Sequence, residues 1–388
     1  MKTVNWRLVV SILAVTQCAA VWAQAPAQPA VAFPATPTPQ PKAPPFTPAE
    51  LDTHLVPSQF LSRTSDVLAI AYNGFRRSQI DPCGCVTNQL GGLDKEARLL
   101  ARTEELNIPL VKIDAGGFIK DTPDAKSLEQ SRYLLKGLGA IGYDAVNVGF
   151  TDLALTPAQL KAAASEAGVK LISANVVDES GAALFDPYVI KDVKLTDGST
   201  VKVGILGVTR PRIELSADVN APSTSVKSGT GDASQNVVIL NPIMTINKHL
   251  AELADQTDLV MIAYYDRRSK AEPIVAALND SAAVDVLIFG ENNQIQGTVQ
   301  ALNGVQVVSG GYEGRQVGTL YVELKDKEIT STWGKHIEVV QMITPLPSIT
   351  GIMEQAHAAV QAAQPTPPAT PAGSPAPTQP LRLDLSAD

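Results

Sequence analysis

Two cysteines separated by a single residue stand in the run Asp81-Pro82-Cys83-Gly84-Cys85. Thiols this close can exchange electrons as a dithiol–disulfide couple, clip a loop, or offer thiolates to a metal. The only other cysteine, Cys18, falls in a segment that reads as removed on export, so in an oxidising compartment the pair is expected to meet as a disulfide. Residues i and i+2 of an extended chain lie roughly 7 Å apart, above the ~5.5–6 Å a disulfide favours, so the backbone must bend, and Gly84 supplies the freedom. Such strain marks a labile bond, and so small a loop constrains the unfolded chain weakly. No further cysteine or nearby histidine completes a zinc set, haem attachment would need Cys-x-x-Cys-His, and no histidine base stands near the loop for a cysteine hydrolase.

The chain that must position this pair has 388 residues, with Lys+Arg 31 against Asp+Glu 39 and a formal net charge of -8. That balance argues against a nucleic-acid polymer as partner, and 5% aromatics against stacking platforms for bases. Residues 1–23 read as a signal peptide: Lys2 and Arg7, then an apolar run, then Val21-Trp22-Ala23 before the cleavage point. Lipid anchoring at Cys18 is not expected, because Val15-Thr16-Gln17 lacks the leucine and small residue that precede a lipidated cysteine. No later segment reaches ~18 uninterrupted apolar residues, so an exported, periplasmic or secreted protein without a transmembrane anchor is expected. The Pro-rich stretches 24–48 and 364–388 are expected to be a disordered linker and tail, with a short helix over 346–363.

That leaves 49–345 as one domain. Strand-like runs at Val67–Tyr72, Leu110–Asp114, Ala145–Val148, Lys170–Ala174, Val201–Val208, Leu259–Tyr264 and Val284–Phe289 alternate with helical patterns such as Asp94–Glu105 and Pro157–Ala167. Lys191–Leu195 and Val201–Val208 flank a hairpin turn, and 297–338 has strand and turn character. The pattern predicts a layered α/β sandwich with mixed sheets. Sites in such folds form at the carboxyl ends of strands, which directs attention to the loops after Tyr72, Asp114, Val148, Tyr264 and Phe289.

Those loops resemble the calcineurin-like metallophosphoesterases, in particular the UshA-like 5′-nucleotidase amino-terminal domain. Gly91-Gly92-Leu93, Gly142-Tyr143-Asp144-Ala145, Leu171-Ile172-Ser173-Ala174-Asn175, Val203-Gly204-Ile205-Leu206-Gly207 and Gly314-Arg315-Gln316-Val317-Gly318 are similar to that family's framework motifs. The resemblance implies two cations held by Asp, His and Asn at the loop starts, clamping a phosphate and activating water. Where "NDxH" is expected the chain has Asn73-Gly74-Phe75-Arg76. The "GD" becomes Gly116-Gly117, the "GNHE" becomes Gly149-Phe150-Thr151-Asp152, the next histidine becomes Tyr265, the "GH" becomes Gly290-Glu291, and the last histidine falls near Gly311. His54, His249, His336 and His357 are expected to lie away from every one of these loops. The family's second, nucleotide-gripping domain is not expected either, since only the helix and Pro-rich tail follow Pro345.

The expected cofactor is therefore none, with a hard oxygen site for Mg²⁺ or Ca²⁺ from Asp114, Asp152 and Glu291 left open. Arg76 stands in a metal histidine's place, Arg77 follows it, and Arg267 follows Tyr265-Asp266. These guanidinium groups could balance the carboxylates or, with Asn73 and Arg315, bind an anion. The Pro-Cys-Gly-Cys run resembles a degenerate branch of the family, the UshA-like (seleno)proteins, which implies redox rather than phosphate chemistry. The leading expectation is a redox-labile Cys83–Cys85 pair at the former metal site, acting on a thiol or disulfide partner protein. A non-catalytic module for a small anionic ligand or partner, and a phosphoesterase with a nonstandard ligand set, stay open beside it.

Overall fold

A computed structural model describes residues 43–61, 67–84, 88–210, 223–230, 234–292 and 299–363. The expected leader, most of the Pro-rich linker, Cys85 and the Pro-rich tail lie outside the described residues. In chain order the elements are α1 (Pro48–Leu55), α2 (Ser58–Leu61), β1 (Val67–Asn73), α3 (Leu93–Glu105), β2 (Leu110–Asp114), α4 (Ala125–Ile141), β3 (Ala145–Asn147), α5 (Pro157–Ala167), β4 (Leu171–Ile172), β5 (Val176–Val177), β6 (Tyr188–Lys194), β7 (Thr200–Thr209), β8 (Thr224–Ser228), β9 (Gln235–Ile239), α6 (Pro242–Gln256), β10 (Leu259–Arg267), α7 (Ala271–Ala276), β11 (Val286–Glu291), β12 (Gln300–Leu302), β13 (Val305–Ser309), β14 (Gln316–Lys325), β15 (Glu328–Glu338) and α8 (Pro347–Ala363).

Two six-stranded mixed sheets, ordered β15-β14-β1-β2-β3-β4 and β12-β13-β11-β10-β7-β6, pack against each other, with a small β5-β9-β8 sheet beside them. This is the layered α/β sandwich that the sequence pattern predicts. The central strands are covered on both faces, which is why they read as unbroken apolar runs rather than alternating ones. In β1, Leu68, Ile70 and Tyr72 join Val203, Ile205, Met261 and Ile288 between the sheets. Ala69 and Ala71 face the outer layer with Leu93, Leu134, Leu160 and Met353 of α3, α4, α5 and α8. On the far side α6 and α7 cover Leu206, Ile262 and Leu287. Each fully buried Leu, Ile or Val contributes roughly 1.5–3 kcal/mol, so the three apolar layers supply most of the stability.

Local signals set the helix ends. Thr156 caps α5 with Gln159 answering and Pro157 in its first turn, and Gly168 closes it in the left-handed region at φ 70. Two buried asparagines join layers where the apolar core gives way to loops. Asn147 donates to the carbonyls of Ala115 and Val208, bridging the two large sheets. Asn175 donates to the carbonyls of Thr209 at 2.6 Å and Leu240 at 2.9 Å and accepts from the Thr209 amide. Replacing Asn175 with Ala strands three backbone groups at once, two of them buried, and is expected to lower the urea-measured unfolding free energy by about 3 kcal/mol; an unchanged midpoint would show that the junction bears no stability.

Candidate functional site

The carboxyl ends of β1, β2, β3, β10 and β11 meet at one end of the sandwich. The loops after β1 and β2 run side by side there: the amides of Phe75, Arg77 and Ser78 donate to the carbonyls of Gly116, Gly117 and Phe118. That zipper drives Arg76 inward. Its side chain is 1% exposed, and its guanidinium is fully engaged. Nε donates to Asp114 Oδ2 at 2.5 Å, Nη1 and Nη2 fork onto Glu96 at 2.8 and 2.7 Å, and Nη2 also reaches the Tyr143 hydroxyl at 2.8 Å. The Tyr143 hydroxyl donates to the same Glu96 carboxylate at 2.5 Å. Burial works against the Arg76 charge, but Glu96, Tyr143 and Asp114 outweigh it and hold its pKa well above the usual value. Burial pushes the Asp114 carboxyl up, and Arg76 pulls it back. Asn73 sits beneath, donating to the Gln316 carbonyl at 3.1 Å and accepting from the Gly74 amide.

The remaining space is filled by packing. The Tyr265 ring lies against Gly117, Gly149 and Gly290; a methyl group at Gly149 would stand 2.7 Å from its Cγ. The chain is folded over itself here, because Gly74 and Gly290 approach so closely that a Cβ on the first would meet the second at 2.9 Å. Asp152 turns away from any opening. It accepts the amides of Gly117, Ile119 and Gly149, each at 2.8 Å, so both its oxygens serve the loop backbone. Burial pushes its carboxyl up to about 8 against those three donors. Glu291 pairs instead with Arg210, which also meets Asp266 at 2.8 Å, and with Arg267 at 3.3 Å.

The oxygen site expected from Asp114, Asp152 and Glu291 is thus not assembled: the first serves Arg76, the second three amides, the third two arginines. This donor set does not fit the pair of divalent cations that the resemblance implies, since a fixed guanidinium and an aromatic ring stand among the groups that would ligate them. Among the described residues, no group of three or more His, Cys, Asp and Glu side chains is arranged to hold a metal. Asn73, Arg76, Asp114, Asp152 and Tyr265, expected to line a pocket, are all buried.

The other expected residues form a separate rim. Among the described residues Cys83 has no disulfide partner; it is partly exposed, and its backbone pairs with Leu90 in both directions. Its Sγ accepts from Arg315 Nε at 2.9 Å. Arg315 Nη2 also holds Glu313 at 3.1 Å, Arg77 Nε lies 3.4 Å from the other oxygen of Glu313, and Arg77 Nη1 donates to Asp121 at 2.8 Å. Gly314, between Glu313 and Arg315, covers Arg76: a methyl there would stand 3.8 Å from Nη1. Rim and buried cluster are therefore stacked, with Arg76 buried beneath Gly314 and the Cys83 sulfur partly exposed above.

Several participants escaped the sequence reading. Glu96 carried a signal, since α3 places an acid on the same face as Leu93, Ala97 and Leu100. Arg210, Asp266 and Glu313 carried none stronger than proximity to a strand end. The histidines need a correction: His357 of α8 contacts Asp81 at 2.8 Å, two residues before Cys83, and His336 contacts the Ser309 carbonyl at 2.8 Å beside Tyr72. Both approach by folding of distant carboxyl-terminal segments. Arg76→Met leaves two buried carboxylates uncompensated and is expected to cost about 3–5 kcal/mol in urea unfolding. Adding Asp114→Asn should return part of that loss, with a coupling of roughly 1 kcal/mol or more, and strict additivity would refute the linkage.

No protein-family model matches the chain. Among curated proteins it is similar to the trifunctional nucleotide phosphoesterase protein YfkN of Bacillus subtilis (strain 168), with 23% identity over 273 residues, 62% of this chain and 18% of that one. The 5′-nucleotidase precursor of Thermus thermophilus superposes with a TM-score of 0.60 at 20% identity, covering 76% of this chain and 59% of that one. The sulfate thiohydrolase SoxB of the same organism gives 0.59 at 12%, covering 78% and 62%. The crystal structure of the calcineurin-like phosphoesterase YfkN from Bacillus subtilis gives 0.56 at 16%, covering 76% and 98%. The chain spans less than a fifth of the curated relative and under two thirds of either Thermus protein.

Proposed function

We infer that this chain, which has the calcineurin-like phosphoesterase and 5′-nucleotidase fold, does not run two-metal phosphate chemistry and instead carries out thiol–disulfide exchange through Cys83 and Cys85. The fold itself does not choose: its solved neighbours carry names from nucleotidase to sulfate thiohydrolase, and function resides in the site. The observation that carries the reading is the 2.9 Å donation from the Arg315 guanidinium to the partly exposed Cys83 sulfur. The guanidinium sets a fixed positive charge beside a sulfur that is partly open to solvent. The sulfur stands later in the loop after β1, on the rim above the buried Arg76.

In the forward direction a thiolate of the reduced pair attacks a disulfide in a partner protein, forming a mixed disulfide and releasing one partner thiol. The second cysteine then attacks that bond, forming Cys83–Cys85 and releasing the other partner thiol. Two electrons pass from the pair to the partner, and the reverse sequence oxidises a partner dithiol. Export to an oxidising compartment, read from residues 1–23, belongs to this proposal. So does the absence of an anchor; among the described residues no helix is long and apolar enough to cross a membrane.

An anion-binding module fits less well. Arg76, Arg77, Arg210 and Arg267 each already face a carboxylate, so their charge is largely spent within the protein. Equilibration of the full-length protein in glutathione buffers tests the redox reading. A midpoint between about -180 and -270 mV is expected, the range of exchanging dithiols, and one below roughly -300 mV would identify an inert clip. Phosphate release from nucleotides in the presence of Mg²⁺, Mn²⁺ or Zn²⁺ is expected to stay at background; chelator-sensitive turnover would overturn the reading.

A further inference from the structure

We propose that neutral His336 is a latch fastening β15 to the end of β13, and that acid opens it. β15 is an edge strand of the first large sheet, hydrogen-bonded to β14. Its ties across the sandwich are polar. His336 Nε2 donates to the Ser309 carbonyl at 2.8 Å, and Thr332 Oγ1 donates to Gln306 Oε1 at 3.1 Å. Both acceptors belong to β13 of the second large sheet. A carbonyl can only accept, so the imidazole proton sits on Nε2 and Nδ1 is a bare lone pair. Among the described residues nothing bonds that Nδ1, although it is buried.

The groups around the ring oppose a second N–H. From β1 the Tyr72 ring meets it edge-on, with centroids 6.1 Å apart. Arg268, in the turn after β10, sets a positive charge near both His336 and Tyr72. On β15 itself, Lys335 is turned to the His54 carbonyl of α1, and Glu338 is exposed, its own carbonyl in contact with His54 Nε2. Burial holds the His336 pKa below the usual imidazole value; the Ser309 carbonyl opposes that and Arg268 adds to it. Protonation therefore places a donor without an acceptor beside a guanidinium. Hydrating the new N–H requires the ring to swing outward, which gives up the Ser309 bond. The release reaches the rim, because Val339, just beyond β15, donates to the Arg315 carbonyl and accepts from the Gly91 amide. Since the folded pKa lies below the unfolded one, the stabilisation is present above roughly pH 6.5 and is lost as the pH falls through the folded value.

Native-state hydrogen exchange on the full-length protein, with rates corrected for the intrinsic effect of pH, tests the latch. Between about pH 7.5 and 5.5 the opening of β15 amides is expected to rise about tenfold, while β1 amides stay within about twofold. His336→Gln keeps an amide donor for the Ser309 carbonyl and cannot titrate, so its β15 opening should be flat over that range. Arg268→Gln removes the repelling charge and should shrink the response about threefold or more. Asp152 and Asp285, whose carboxyls burial pushes up to about 8 and about 6, titrate in or near the same window. They are common to all three proteins and cancel in the comparison. The latch would be overturned by β15 opening that ignores pH in the parent, or by β1 opening together with β15. A His336→Gln or Arg268→Gln protein responding as strongly as the parent would overturn it equally.

Discussion

A guanidinium with almost no contact with water is the constraint around which this end of the molecule is organised. Removing a charge from water costs several kcal/mol unless it is paired and fully hydrogen-bonded, and Arg76 meets that condition by drawing on three elements. Glu96 comes from the first turn of α3, Asp114 from the end of β2, and Tyr143 from the turn between α4 and β3. Each must stay in place for the others to be tolerated. The network thereby ties the loop after β1 to the helical layer. It also explains why an acidic side chain is found on the apolar face of α3.

Around this cluster the space is closed rather than open. Tyr265 lies on backbone that only glycine can present at such short range, and Asp152 uses both oxygens to fasten the loops after β2 and β3 to each other. The result is a packed junction in a fold whose relatives are named for hydrolysis. Outward from it, arginine–carboxylate pairs recur, from Arg76 through Arg210 to Arg77 and Arg315. At the rim the pattern changes, because there a guanidinium also meets a sulfur. That meeting lies at the boundary between the dry, neutralised interior and solvent.

Much of this was readable from the sequence. Strand and helix periodicity locates β1, β2, β7 and α5 within a residue or two, and β10 to within three, since buried parallel strands and capped amphipathic helices leave local signatures. Arg76 and Tyr265 were visible at positions where the resemblance expects histidines, and Cys83 and Arg315 in loops at the carboxyl ends of strands. Partners were not readable. Nothing local shows that Arg76 selects Glu96 and Asp114, that Asp152 faces amides, that Arg210 takes Glu291, or that His357 lies against Asp81.

The amino-acid sequence alone determined the layered α/β architecture, the ends of most of its strands, and which residues stand at the loop positions where the resemblance expects histidine. These follow from short-range rules: hydrophobic period, turn chemistry and residue type. Tertiary structure alone decided which charges neutralise one another, which carboxylates are consumed by backbone, and that the sulfur belongs to a rim with Glu313 and Arg315 rather than to the interior with Arg76. Those outcomes depend on contacts between residues up to 276 positions apart. Such contacts are set by how layers stack and loops cross, and local sequence does not encode that geometry.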